Sequence, residues 1–334
     1  TVAFEYLINE LLEHHVVESL DEIKGIGHRV VQGADHYDKS VIATDEVVED
    51  IASLSSLAPL HNPAAVLGIK AAKEVVPTAT SVVVFDTAFH QTMPEENYLY
   101  ALPKSWYTDY HVRRYGAHGT SHKYITEYMA KKLGRDDLKL IICHVGSGCS
   151  ISAVKDNKCV NTSMGFTPVA GIPMCARSGD LDPSIVTFLM RKEGLTPDEI
   201  DTILNKESGV LGISGVSPDF RDIEKEADEG NERAILARKA YCYLVAQYIA
   251  KYGVSMQGID VIAFTAGIGE NQINIRKKIC EDLEWMGLKI DLEKNNVRSV
   301  ETKISTDDSK ILAYIIPTDE DMVIARDTKA LVEG

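Results

Sequence analysis

The chain has 334 residues, 45% hydrophobic and 25% charged, which is ordinary for a folded protein and long for one core, so two domains are expected. Thirty-five basic against fifty acidic side chains leave a formal charge of -15. That balance argues against broad binding to nucleic acid or to an anionic membrane, since both need excess positive surface, but leaves room for a small anion held by a few arginines in a cleft. The six cysteines (Cys143, Cys149, Cys159, Cys175, Cys242 and Cys280) are scattered without a C-x-x-C pair. This speaks against a zinc knuckle or disulfide scaffold and for reduced thiols in a cytoplasmic protein. The N-terminus has no signal-peptide pattern, and no uncharged apolar run approaches bilayer-spanning length. Residue 1 is Thr rather than Met, so the chain need not begin where its gene does.

Apolar spacing predicts a helix over Val2 to His14 and short helices around Asp45 to Ser55 and Ala64 to Val75. Strand-like runs are HRVV at 28–31, SVVVFD at 81–86, LKLIICHVG at 138–146 and DVIAFTAG at 260–267. The last three are nearly continuous apolar runs ending in a polar residue or glycine, as a strand buried on both faces does, with its functional residue at the carboxyl end. The longest predicted helix, Glu232 to Tyr252, is expected to stop at Gly253. A helix from about Ile273, the strand ILAYIIP and a last helix after Thr318 follow. This is an α/β pattern without a repeat period or low-complexity linker, so a domain hinge is expected near Asp86 or in the proline turns after it.

Several of these junctions carry chemistry. HVGSGCS at 144–150 follows an apolar strand, and its glycines let backbone N–H groups turn toward an anion such as phosphate; it reads equally well as a tight turn between antiparallel strands. FTAGIGENQ at 264–272 is a second strand, glycine turn and helix start. It fits the dinucleotide fingerprint poorly, because Gln272 occupies the third-glycine position, and there is no G-x-x-x-x-G-K-[ST]. In MCARSGDLDPSI at 174–185, Arg177 offers its planar fork either to an anionic ligand or locally to Asp180 or Asp182. Arg29, beside the apolar pair Val30 and Val31, heads inward and requires an anionic partner. Asp86 reads as a catalytic or metal-positioning carboxylate or as a helix cap, and Glu320 as a magnesium ligand or a helix-start acid. In RRYGAHGTSHKY at 113–124, Gly119 speaks against His118 and His122 sharing a zinc-binding helix face. Thr120 or Ser121 is the expected N-cap, with His118 in the preceding loop, free to donate to charge in a cleft.

Taken in order, HRVV, FDTAFHQTMP, RRYGAHGTSH, HVGSGCS, MGFTPVAGIPMCARSGDLDP, GISGVSPDFRD, FTAGIGEN and PTDEDMVIARDT resemble acetate kinase and its relatives that phosphorylate short-chain carboxylates, across almost the whole chain. The resemblance implies the two-domain acetate and sugar kinase/Hsp70/actin (ribonuclease H-like) fold, α/β with mixed sheets about an inter-domain nucleotide cleft. Residues 1–86 with 321–334 would form one domain and 87–320 the nucleotide-binding one. It also implies a homodimer, Mg2+ or Mn2+ as cofactor, ATP and ADP as substrates, and acetate or another short-chain carboxylate as phosphoryl acceptor. Matched motif by motif, Arg29 and Arg177 resemble the pair that binds the carboxylate and the phosphoryl group in flight. His118 matches the transition-state donor, Asp86 the catalytic carboxylate and Glu320 the metal-positioning acid. His144, Gly146, Ser147 and Gly148 match the phosphate turn. Asp219, Phe220 and Arg221 with Gly267, Ile268 and Asn271 match the adenosine pocket, and Val31, Leu60 and Pro168 the apolar wall around the acyl group.

The sequence departs from that pattern in three places. The family's opening strand and serine-rich phosphate loop have no counterpart here, which raises the alternative of a non-catalytic nucleotide-binding remnant or regulatory homologue. Ser147 stands where the family usually has Asn, and Gln32-Gly33-Ala34-Asp35 where it has His-Gly-Gly-Glu. Ala117 replaces the aromatic residue that usually precedes the clamp histidine. A smaller residue in the acyl wall is expected to admit propionate or butyrate more readily.

Overall fold

The computed structural model describes residues 2–59 and 61–334; Leu60 lies outside the described residues. Two sheets organise the chain. The first has three strands, β1 (Gly25–Val30), β2 (Val41–Ile42) and β3 (Thr80–Phe85), in the order β1-β3-β2, with β1 parallel and β2 antiparallel to β3. The second has six, β4 (Lys139–Val145), β5 (Cys149–Lys155), β6 (Lys158–Thr162), β7 (Val261–Thr265), β8 (Thr302–Lys303) and β9 (Leu312–Ile315), in the order β6-β5-β4-β7-β9-β8. β4, β7 and β9 are parallel neighbours, flanked by antiparallel strands on both sides.

The continuous apolar runs are strands covered on both faces. Alternate residues of β4 and β7 separate cleanly: Ile141, Cys143, Val145, Ile262 and Phe264 pack with Tyr241, Val245 and Ile249 of the helix Glu232–Met256. Leu140, Ile142, Val261 and Ala263 pack with Ile125 and Met129 of the helix Gly119–Leu133. Truncating a fully buried residue such as Met129 to Ala costs about 2–5 kcal/mol. In the first sheet, Val83 and Phe85 cover Ile51 and Ile69 of the helices Asp45–Ser53 and Asn62–Val75. Its other face receives the C-terminal helix Glu320–Glu333 so closely that a Cβ on Gly27 would lie 2.4 Å from Ile324 Cγ2. The last element therefore returns to the first sheet.

Two helix boundaries differ from expectation. The long helix runs through Gly253 to Met256 and ends where Gln257 turns to φ 57°. Gly253 is there for contact, since a Cβ would sit 3.3 Å from Ile259 Cδ1. The helix after the histidine motif begins at Gly119 itself, and His118, at φ 58°, is its cap residue. Thr120 and Ser121 lie inside that helix and their hydroxyls serve other partners.

Candidate active site

Arg29 leaves β1 opposite Val84 and meets the end of β3. The Asp86 N–H extends the ladder to Val30 O at 2.9 Å, and its carboxylate, 1% exposed, accepts from Arg29 Nε at 2.9 Å and Nη2 at 2.7 Å. This is the anionic partner that Arg29 required. The hydrogen bond to Asp86 holds the guanidinium far above its usual pKa, against the opposing effect of burial. Asp86 is thus not a helix cap; Thr87 precedes the following turn. Glu320, the first residue of the C-terminal helix, places Oε2 3.9 Å from Arg29 Nε and accepts from Thr120 Oγ1 at 2.7 Å. Its Oε1 has no hydrogen-bond partner among the described residues, and the side chain is a quarter exposed. A lone, partly free carboxylate suits Mg2+, which is held by one or two acids together with substrate phosphates and water.

Gly119 locks His118 to this cluster. Its N–H donates to Asp86 O at 3.0 Å, and a Cβ there would stand 2.1 Å from the same oxygen. His118 stacks on His144, ring centroids 4.1 Å apart. Each ring is anchored through Nδ1 to a serine hydroxyl, His118 to Ser150 and His144 to Ser121, both at 2.8 Å. Burial, then the neighbouring His144, His122, Arg29 and Arg177, push the His118 pKa well below its ordinary value. Burial and Arg29 bring His144 down to about 3. Burial therefore favours the neutral form of both rings, in which one ring nitrogen donates and the other accepts.

The glycine turn of HVGSGCS is the turn between antiparallel strands that the sequence allowed. β4 and β5 form a hairpin closed by Gly146 N donating to Gly148 O at 3.1 Å, and the turn opens beside functional side chains. A Cβ on Gly148 would lie 3.3 Å from His118 Nε2 and 3.4 Å from Arg177 Nη1. A Cβ on Gly146 would lie 3.8 Å from Gly267 N, so both glycine turns sit side by side at the ends of parallel β4 and β7. Asn271 Nδ2 donates to Gly267 O at 3.0 Å. Asp219 caps the helix Phe220–Asp228 and binds the exposed Arg221. Cys175 Sγ lies 3.8 Å from Gly146 O in the turn, and burial, with the Asp219 charge adding to it, pushes this thiol up. The side chains of Phe220 and Ile268 belong to the core; Phe220 meets Tyr241 edge-on at 4.6 Å. Only their backbone is available to a ligand.

Arg177 is the decisive residue. Neither local acid takes it: Asp180 accepts from Gly171 N at 2.8 Å and from the Tyr248 hydroxyl, and Asp182 caps the helix Pro183–Glu193. Arg177 is half-buried with no acid partner among the described residues, and burial lowers its pKa. It lines a cavity of about 460 Å³ together with Val31, His61, Gly116, Phe166 and Pro168. Ala117 is not in that wall. It is 4% exposed, packs into the main core, and has its carbonyl held by His90 Nε2 at 3.0 Å; Gly116 borders the cavity, although a Cβ on it would point at His90 and Thr162. Sequence reasoning missed His61, Phe166, Thr120 and Ser150. Of these only Ser150 carried a signal, ending the HVGSGCS turn in register with His144.

The paired sheets, the return of the C-terminal helix and the two adjacent glycine turns define the α/β fold of the acetate and sugar kinase/Hsp70/actin superfamily. Residues 1–326 match the model of the acetokinase family, and the chain belongs to that family. It is 52% identical to the acetate kinase of Treponema denticola over 335 residues, covering 99% of this chain and 84% of that protein. A Porphyromonas gingivalis acetate kinase superposes with a TM-score of 0.95 at 44% identity, over 99% of this chain and 84% of the other. A propionate kinase from Francisella tularensis superposes with a TM-score of 0.93 at 42% identity, over 98% and 84% respectively.

Proposed function

We propose that the chain catalyses reversible transfer of the ATP γ-phosphoryl group to acetate or a slightly longer carboxylate, giving ADP and an acyl phosphate. The observation that carries this reading is Arg177: a half-buried guanidinium without an acid partner among the described residues, between the glycine turn that fits phosphate and the apolar walls Val31 and Pro168. The acceptor carboxylate is ionised at neutral pH, so no strong general base is needed. One carboxylate oxygen attacks the γ-phosphorus in line, and the bond to the bridging oxygen of ADP breaks. Catalysis then rests on positioning and on charge stabilisation of the moving phosphoryl group.

Arg177 binds the acceptor and the phosphoryl oxygens, and the neutral His118 donates from the other side of Gly148. Arg29 is held in place by Asp86 and contributes its outward face. A magnesium ion held by Glu320 and the substrate phosphates would neutralise charge on the leaving oxygens. His144 and the turn from Gly146 to Gly148 cradle the phosphates, while Asp219, Arg221, Gly267 and Asn271, with the backbone of Phe220 and Ile268, border the nucleoside. A homodimer has a ready face in the helix Pro183–Glu193, none of whose residues is buried and which exposes Ile185 and Phe188.

The test is trapping of acyl phosphate as hydroxamate from ATP and acetate, propionate or butyrate by the full-length protein. Acyl hydroxamate that disappears with Arg177→Ala supports the reading. Nucleotide binding without hydroxamate from any of the three acids would replace it with a non-catalytic nucleotide-binding role.

A further inference from the structure

Ser150 Oγ stands between two buried imidazoles, 2.8 Å from His118 Nδ1 and 2.7 Å from His122 Nε2. A hydroxyl has one proton and two lone pairs; accepting from both rings would leave the Ser150 proton without an acceptor among the described residues, so the hydroxyl donates to one ring and accepts from the other. Suppose it donated to His122. That neutral ring would then carry its proton on Nδ1, an atom sealed from solvent and without a hydrogen-bond partner among the described residues. An orphaned buried N–H loses its hydrogen bond to water with nothing in return, and such groups are rarer in folded proteins than unsatisfied acceptors. The surroundings offer Nδ1 nothing: the His90 ring stands edge-on at 5.5 Å, with its own Nε2 committed to Ala117 O, and Phe89 lies parallel at 6.4 Å.

We propose that Ser150 and His122 are positioning residues that fix the tautomer of His118. His122 Nε2–H donates to Ser150 Oγ, Ser150 O–H donates to His118 Nδ1, and His118 therefore carries its proton on Nε2. That is the nitrogen facing the phosphate turn, 3.3 Å from where a Gly148 Cβ would sit and beside Arg177 Nη1. The direction of the relay matters because the ring is neutral. A neutral imidazole in the other tautomer would present a lone pair to an oxyanion and repel it, whereas this one presents a donor. Relayed hydrogen bonds in a dry interior also polarise one another, which strengthens the terminal N–H. This inference rests on the kinase reading for its purpose but not for its geometry.

The test reads the tautomer directly. In full-length protein labelled with 15N-histidine, two-bond proton–nitrogen correlations, assigned with a His118→Gln variant, should show His118 protonated at Nε2 and His122 at Nε2. Ser150→Ala should release His118 into a mixture of tautomers and lower kcat about 10-fold or more while KM for the acid changes less than about three-fold. His122→Leu should do the same, and His122→Gln, whose amide nitrogen can replace Nε2 as donor, should recover most of the loss. His118 protonated at Nδ1 in the wild-type protein overturns the proposal, as does a His118 tautomer unmoved by both Ser150→Ala and His122→Leu. An Nε2–H tautomer in a protein that phosphorylates none of the three acids would leave the relay standing and remove the kinase reading instead.

Discussion

Arg29 and Asp86 hold each other through two hydrogen bonds of 2.9 and 2.7 Å, and the carboxylate is almost fully buried. Arg177, the other arginine of the site, has no acid partner among the described residues. The two residues matched to one clamp are therefore built differently. Removing Arg29 strands a buried carboxylate, and removing Arg177 strands nothing. Arg29→Ala should thus lose roughly 2–4 kcal/mol of stability in urea unfolding as well as activity. Arg177→Ala should fold with unchanged stability yet lose about 10² or more in kcat/KM. Equal stability losses in the two variants would contradict this asymmetry.

Gly148 and Gly119 separate function from folding in a second way. Gly148 does not take a positive φ, and the atoms nearest to an added methyl would be the side-chain ends of His118 and Arg177, at 3.3 and 3.4 Å. Gly148→Ala should fold normally and reduce kcat about 10- to 100-fold by occupying the space where the phosphoryl group must pass. Gly119→Ala would drive a methyl to 2.1 Å from the Asp86 carbonyl oxygen and cost roughly 2 kcal/mol or more, seen as a lowered Tm. A soluble, fully active Gly148→Ala variant would remove that turn from the site.

The buried histidines make the fold acid-sensitive. Burial lowers His90 to about 4 and His144 to about 3, and pushes His118 and His122 well down as well. In the unfolded chain each protonates near pH 6.5. Between about 6.5 and those folded values the unfolded state binds more protons, so stability falls as pH falls. At pH 5 His90 and His144 should each have withdrawn about 2 kcal/mol relative to pH 7. Urea unfolding at pH 7, 6 and 5 should show midpoints dropping stepwise, and a flat series would mean that these rings take up protons in the folded protein.

What the sequence revealed and what it hid divide along physical lines. β3, β4 and β7 were legible because a strand covered on both faces leaves a continuous apolar run, and the glycines that end β4 and β7 marked the turns that meet in space. That Arg29 would meet an acid was expected from its place beside Val30 and Val31, yet its side chain stays 43% exposed and it is the Asp86 carboxylate that is desolvated. The partner, 57 residues away, was not legible, because the pairing depends on the register of β1 against β3. Gly253 misled because a glycine that stops a helix and one that admits a neighbour look alike until Ile259 is in place. Arg177 stayed open between ligand and local acid until Tyr248 and Gly171 were seen to take Asp180. Ala117 was read into the acyl wall from its place in the motif, and only its burial in the folded chain, with Gly116 bordering the cavity, sets it apart from that wall.

That last correction moves the question of acyl length to other residues. The cavity beside Arg177 holds about 460 Å³ and is bounded by Val31, Leu57, Phe166 and Pro168, far more room than an acetyl methyl fills. Propionate and butyrate should therefore be accepted, and the discrimination should respond to wall residues and not to Ala117. Val31→Ala removes two methyl groups from the wall and should raise the butyrate-to-acetate ratio of kcat/KM about 10-fold, within the 1–3 kcal/mol that one methylene is worth in an apolar pocket. Ala117→Phe forces a ring into the packed core, so its expected effect is a loss of stability of about 1–3 kcal/mol with little change in that ratio. Steady-state kinetics with the three acids on both variants decide the matter. A ratio that shifts with Ala117→Phe and is indifferent to Val31→Ala would return the acyl wall to Ala117.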